Sequence, residues 1–282
     1  MDFKLDGATE ATRARTRAFV SKALIPLETD PTIWGEGENI REDRLVALRI
    51  EARRRGLWAP QTPVVDGGMG LSRVAMAAMY EEAGRCRFGP AVFNCSAPDD
   101  GNMMLLAKVG TAAQKARWLA PIVEGRVRSS FAMTEPSPGG GSDPSMIRTR
   151  AERVGDVWRI HGAKWFITGA AEAKHFILIA RTSDDQRKGL SAFLFDAAQP
   201  GWRIVRRIAI MGPEEHGGHC EIAFDGLEIA DENVLMNVGD GLKATQIRLG
   251  PARLTHCMRW LGMAKRALRN ASPMCASGAA SA

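Results

Sequence analysis

The run Phe131-Ala132-Met133-Thr134-Glu135-Pro136-Ser137-Pro138-Gly139-Gly140-Gly141-Ser142-Asp143 ends a strand at Thr134 and Glu135, turns at Pro136 and sets three glycines ahead of Ser142-Asp143. A strand end offers backbone N–H groups and the Thr134 hydroxyl. The glycines let the main chain approach a ligand where side chains would clash. Such a loop suits the polar heteroatoms of a flat ring, or a phosphate; a flexible hairpin is the plainer alternative. Further along stands Gly162-Ala163-Lys164-Trp165-Phe166-Ile167-Thr168-Gly169-Ala170. Its adjacent aromatics, the Thr two residues past the second and the closing Gly would present one ring and one hydroxyl to a bound aromatic cofactor. A buried aromatic strand is the other reading.

Around these two segments the pattern from about Arg128 is of short runs rich in β-branched and aromatic residues, punctuated by Gly, Asp and Pro. Val157–Ile160, His175–Ala180, Leu190–Phe195, Trp202–Ile210 and Glu221–Phe224 read as strands of a compact β-barrel or sandwich. Upstream the period is helical. Phe19, Leu24 and Leu27 precede a break at Pro31, Leu45, Leu48 and Ala52 form a stripe, and Ser72 caps a helix bearing Val74, Ala75, Ala78 and Met79. Thr111 and Gln114 form a capping box ahead of inward-facing Trp118, Leu119 and Ile122. Downstream, Ile247, Leu254, Met258, Leu261 and Met263 recur at helical intervals from about Gly241. The order of helices, strands and helices gives an α+β class in segregated blocks. Pro273–Ala282 carries no charge and no stripe, and is expected to be disordered or frayed.

Composition narrows the class. The chain has 282 residues, 45% hydrophobic and 25% charged, an ordinary globular balance. No apolar run approaches the roughly 20 residues of a membrane span, and the N-terminus lacks a signal peptide's apolar core. Five dispersed cysteines suggest reduced thiols, so a soluble cytoplasmic protein is expected. The net charge of +6 is spread along the chain, which argues against nucleic acid and for a solvated Arg-rich surface.

Taken together, the two opening segments resemble the acyl-CoA dehydrogenase family, with its Thr-Glu-Pro followed by Gly-Ser-Asp and then Lys-x-aromatic-Ile-Thr. The similarity extends to Asp99-Asp100-Gly101-Asn102-Met103, to Gly110-Thr111 through Trp118-Leu119, to Phe224–Ile229 with Asn233-Val234-Leu235, and to Gly250-Pro251-Ala252-Arg253-Leu254. The resemblance implies an N-terminal helical domain (1–127), a central β-barrel domain carrying the flavin loops (128–238) and the start of a C-terminal helical bundle (239–282). It implies FAD, with Phe131, Met133, Thr134, Gly141, Ser142, Phe166 and Thr168 on the cofactor side. In this set Met133 and Thr134 would bond the pyrimidine edge, Phe166 would lie against the isoalloxazine, and Thr168 would hydrogen-bond near N5. Ser142 and Arg253 would contact acyl-CoA. The implied reaction is α,β-dehydrogenation of the thioester to a 2-enoyl-CoA, with electrons leaving to an electron-transferring flavoprotein and a homo-oligomer as the family's assembly. A non-catalytic flavin- or acyl-CoA-binding remnant, and an oxygen-using oxidase or monooxygenase of the same fold, are the alternatives.

The chain departs from the family in two places. Where some members carry the catalytic carboxylate just before the matched Arg, this chain has Ala252, which cannot accept a proton, so no catalytic residue is assigned. The family-like residues run to about Ala267-Leu268 and then give way to Ser272–Gly278. The expectation is a chain cut short by a frameshift or premature stop, with poor solubility, exposed bundle residues and weak FAD retention. His216-Gly217-Gly218-His219-Cys220 reads as a glycine loop leading into a strand, not a metal site. His256 and Cys257, adjacent on a helix, do not face each other. Glu135 reads as structural.

Overall fold

Side-chain caps set several of the helix starts. The structure, a computed structural model, describes residues 4–140, 143–212 and 216–276, the last four of these by backbone alone. Asp6 accepts from the Thr9 amide at 2.8 Å and opens α1 (Gly7–Phe19). α2 (Glu42–Arg54) follows with acidic residues in its first turn and basic ones in its last, in accord with the helix dipole. Ser72 accepts from the Ala75 amide at 3.2 Å at the head of α3 (Arg73–Ala83). Next come α4 (Gly89–Val92) and α5 (Asp99–Val109). The expected Thr111–Gln114 capping box is present and opens α6 (Ala112–Gln114), ahead of α7 (Ala120–Val123).

Eight strands follow among the described residues: β1 (Arg128–Ala132), β2 (Arg150–Val154), β3 (Val157–Thr168), β4 (Ala173–Arg181), β5 (Leu190–Asp196), β6 (Trp202–Arg207), β7 (His219–Ala230) and β8 (Val234–Leu235). They form one sheet in the order β6-β7-β3-β2-β4-β5-β8, with β1 parallel to β4. The long helix α8 (Gly241–Ala276) closes the described chain.

The chain divides into two compact units. One contains the residues up to Glu36, Ile40–Ser96 and Ala252 onward; the other contains Gly37–Asn39 and Ala97–Pro251. The first unit buries Phe19, Leu24, Leu45, Met76, Met79, Tyr80 and Phe93. It also buries Glu82, held by Arg17 at 2.7 Å and Arg85 at 2.8 Å. Within it α3 and α8 come close enough that a Cβ at Gly84 would overlap the Arg259 carbonyl, and one at Gly262 the Glu81 carbonyl. The second unit packs its core around Trp158, Phe176, Phe193, Phe195 and Phe224. Trp118, Leu119 and Ile122 are buried as expected.

Several expectations need correction. The Trp202–Ile210 strand stops at Arg207, and the Glu221–Phe224 strand spans His219–Ala230, so His219 and Cys220 belong to a strand rather than to a loop before it. β2 went unread because its sequence, Arg-Ala-Glu-Arg-Val, buries only Ala151. Val74 is 59% exposed while Ala75, Ala78 and Met79 are buried. On α8 the inward positions are Ala244, Thr245, Arg248, Ala252, Thr255 and Arg259, not the apolar stripe: Leu254, Leu261 and Met263 are exposed. Small residues admit close backbone approach, and bulky ones point away from it. The helix also runs on through Pro273 to Ala276, where a disordered or frayed end was expected. Residues 277–282 lie outside the described chain.

Among the described residues no helix is long and apolar enough to cross a membrane. Among the described residues Cys86, Cys95, Cys220 and Cys257 form no disulfide.

The α3–α8 contact predicts that Gly262→Ala will destabilise the chain by about 1–3 kcal/mol, because overpacking against a backbone carbonyl outweighs the alanine's helix preference. Gly250, which has open space around its Cβ position, is the matched control, and Gly250→Ala should be neutral or stabilising. Urea unfolding of the two variants checks the difference.

Candidate functional site

The loop after β1 is held by a buried ion pair. Lys164, fully buried on β3, donates to the Glu135 carboxylate at 2.8 Å and to the Met133 carbonyl at 2.9 Å. Glu135, 4% exposed, also accepts from the Arg148 amide at 2.7 Å and the Thr149 amide at 2.9 Å. Its own amide donates to the Gly140 carbonyl at 2.7 Å, which closes the loop. A Cβ at Gly139 would overlap the Glu135 carboxylate, so that glycine is required for space.

Burial pushes the Lys164 ammonium down to about 8 against the pull of Glu135. For Glu135, burial alone would raise the carboxyl, but the Lys164 charge and the bonds from Lys164, Thr149 and Arg148 together hold it below the ordinary carboxylate range. A carboxylate with its oxygens committed to these donors is a structural anchor and not a base.

An irregularity follows Lys164 on β3. The β3–β7 ladder shifts register between Lys164 and Ile167, and Phe166 sits there at φ 51, a left-handed conformation that a bulky residue adopts at a cost of order 1–3 kcal/mol. Its ring is 45% exposed and meets Trp165 edge-on, with centroids 5.0 Å apart. The Trp165 amide donates to the Thr134 carbonyl at 2.9 Å, which ties the two segments side by side. Thr168 at the end of β3 shares a 3.1 Å hydrogen bond between its hydroxyl and His219 Nδ1, and its carbonyl accepts from the Ser130 hydroxyl at 2.7 Å. The half-buried Thr134 hydroxyl has no hydrogen-bond partner among the described residues.

An accessible strained aromatic, an unspent hydroxyl and a second hydroxyl with a histidine partner therefore line one end of the sheet. This donor set matches a flat heteroaromatic ring with a polar edge. Phe131, Met133, Thr134, Phe166 and Thr168 all fall in the second unit. Gly141 and Ser142 lie outside the described residues. Arg253 is exposed and belongs to the first unit, and Ala252 beside it is buried.

Two features were not anticipated. Arg248, 8% exposed, donates to Asn102 Oδ1 at 2.9 Å and to the Pro98 carbonyl at 3.4 Å, with its guanidinium 4.2 Å from the Phe131 ring centroid. Burial lowers it to about 10 against the attraction of Asp100 and Asp99. Its signal was its spacing from Ala244 and Thr245, a buried stripe without large apolar residues. The second feature is an open cleft of about 820 Å³ beside the loop, lined by Pro138, Ser145, Arg148, Arg150, Arg181 and Arg187. Arg181 is committed to the Ile147, Ser183 and Ser145 carbonyls. Among the described residues no group of three His, Cys, Asp or Glu side chains could hold a metal ion.

Residues 7–126 match the family described as acyl-CoA dehydrogenase, N-terminal domain, and residues 130–227 match acyl-CoA dehydrogenase, middle domain. FadE2 of Mycobacterium tuberculosis H37Rv, described as a probable acyl-CoA dehydrogenase, is 35% identical over 277 residues, which cover 95% of this chain and 67% of that one. Human acyl-CoA dehydrogenase family member 11 is 37% identical over 268 residues, 90% of this chain. The chain spans only about a third of that relative, 34% of its length. A solved Mycobacterium abscessus structure, described as a candidate acyl-CoA dehydrogenase, superposes with a TM-score of 0.88 at 32% identity, covering 96% of this chain and 70% of that one.

The ion pair generates a prediction. Lys164→Met leaves Glu135 charged and buried, and should lower stability by about 3–5 kcal/mol in denaturant unfolding. The folded-state pKa of Glu135 lies below its unfolded value near 4.5, so its contribution is complete above 4.5 and is lost as the pH falls through the folded value. Stability measured from pH 6 down to pH 2 should show this loss, and Glu135→Gln should remove that component of the acid slope.

Proposed function

The chain belongs to the acyl-CoA dehydrogenase family, and from that premise we propose that it binds FAD at the Thr134–Thr168 end of the sheet and serves α,β-dehydrogenation of an acyl-CoA thioester. The observation that carries this reading is Phe166, an exposed aromatic held in a strained conformation near the Thr134 hydroxyl and the His219-bonded Thr168 hydroxyl. In this proposal the Phe166 ring covers one face of the isoalloxazine. The Thr134 hydroxyl and the main chain of Met133 meet its pyrimidine edge, and Thr168 addresses N5. When bound, FAD supplies the hydride-accepting chemistry. The protein's own contribution is to orient the ring and to exclude water from the face against Phe166.

Ser142 and Arg253 are proposed to contact the acyl-CoA. The arginine-lined cleft supports a substrate with anionic phosphates, since Arg148 and Arg187 stand at its wall facing solvent. Electrons are proposed to pass to an electron-transferring flavoprotein, and the three-domain division at residues 127 and 238 belongs to the same proposal.

The proton-accepting carboxylate is neither Glu135, whose oxygens are already bonded, nor position 252, which is alanine. That alanine favours a second reading, in which the chain binds FAD and acyl-CoA without turnover.

Visible absorbance separates these readings. FAD added to the purified chain should show a perturbed flavin band, and Phe166→Ala should weaken FAD binding about tenfold, or roughly 1.4 kcal/mol. Anaerobic bleaching of that band by a short acyl-CoA supports dehydrogenation; a bound flavin that acyl-CoA leaves oxidised supports the second reading. A flavin band left unchanged by the protein sinks both.

A further inference from the structure

His219 is placed by strand pairing and not by local sequence. It stands opposite Thr168 on the last rung of the β3–β7 ladder, and the backbone of both residues is pinned. The Thr168 carbonyl accepts from Ser130, and the following amide, of Gly169, donates to the Gly218 carbonyl at 2.7 Å. The His219 carbonyl accepts from the Ile208 amide at 2.7 Å. The freedom that remains is in the side-chain bond itself, 3.1 Å between Thr168 Oγ1 and His219 Nδ1.

A hydroxyl has a single proton to give. If Nδ1 accepts it, Thr168 turns only lone pairs toward a ligand. If Nδ1 carries its own proton and donates, the hydroxyl proton is free for the ligand. The tautomer of His219 thus sets whether Thr168 faces its ligand as acceptor or as donor. The two neutral tautomers carry the same number of protons: one leaves Nδ1 and one arrives at Nε2, exchanged with water at a half-buried ring.

This matters for a ring nitrogen that is an acceptor when oxidised and bears a hydrogen when reduced, as flavin N5 does. A lone threonine must rotate its hydroxyl to suit each form. A threonine with a two-state partner keeps a complete hydrogen-bond chain in both.

Resting on the reading that Thr168 faces the flavin, we propose that His219 is a positioning residue, which sets the hydrogen-bond polarity of the Thr168 hydroxyl and so balances the affinity of the site for oxidised and reduced FAD.

The test measures dissociation constants of both FAD forms under anaerobic conditions, by flavin absorbance and tryptophan fluorescence, with circular dichroism confirming the fold. His219→Phe should change the ratio of the two constants by roughly fivefold, the scale of one hydrogen bond. His219→Asn places an amide near the Nδ1 position and can present either its oxygen or its NH2, so it should restore the ratio to within about twofold. His219→Gln, which reaches the Nε2 position instead, should not, and it serves where the phenylalanine variant fails to fold. Thr168→Val should shift the ratio as His219→Phe does, and the double variant should add nothing further.

If Thr168→Val shifts the ratio while His219→Phe and His219→Gln leave it unchanged, the inference is overturned and the flavin reading stands. Failure of Asn to restore the ratio overturns it equally. If Thr168→Val has no effect on either form, or the chain binds neither, the flavin reading fails and takes the inference with it.

Discussion

The buried Lys164–Glu135 pair is the constraint from which the rest of the site follows. Each partner ties two chain segments: Lys164 grips Met133 and Glu135, and Glu135 grips residues 148 and 149. Three stretches of the chain, around residues 133–135, 148–149 and 164, are thereby fixed at one end of the sheet. A buried pair of this kind contributes little net stability, because desolvation offsets most of the attraction. What it provides is a single arrangement, since any alternative register would leave a charge unpaired in the interior. The register shift between Lys164 and Ile167 turns Phe166 outward although Lys164, two residues before it, points inward, and the Thr134 hydroxyl stands beside the loop that the Glu135 amide closes.

The second unit was legible where chemistry and local geometry coincide. Pro136 and the glycines predicted a strand end and a tight loop, and the structure has β1 followed by a turn that only glycine permits at position 139. The helix caps at Ser72 and Thr111 were legible because a cap is a short-range hydrogen bond between residues three apart. β2 was not, since Arg150–Val154 buries too few apolar residues for an alternation to register. The His219–Thr168 contact was out of reach for a different reason: it depends on the pairing register of two strands and joins residues 51 apart in sequence.

The long helix shows where apolar counting misleads. Large side chains on α8 suggested the buried face, yet the buried face is built from Gly, Ala, Thr and two arginines. Close approach of helix backbones requires small residues, and a guanidinium enters such a groove when carbonyl oxygens are there to receive it, as Cys95 receives Arg259 and Pro98 receives Arg248. Periodicity was read correctly as helical, but its phase was assigned by hydrophobicity when packing distance governed it.

Phe166 leaves a mark that outlasts any one ligand. Glycine at that position would adopt φ 51 without strain, and asparagine would do so more readily than phenylalanine. Random substitution under pressure for stability alone would drift toward such residues, because most paths that relieve the backbone also remove an exposed apolar ring. An exposed aromatic at this φ is therefore not the residue that stability alone would choose. The same position can serve as a clock: in a lineage released from ligand binding, it should be among the first in this sheet to relax.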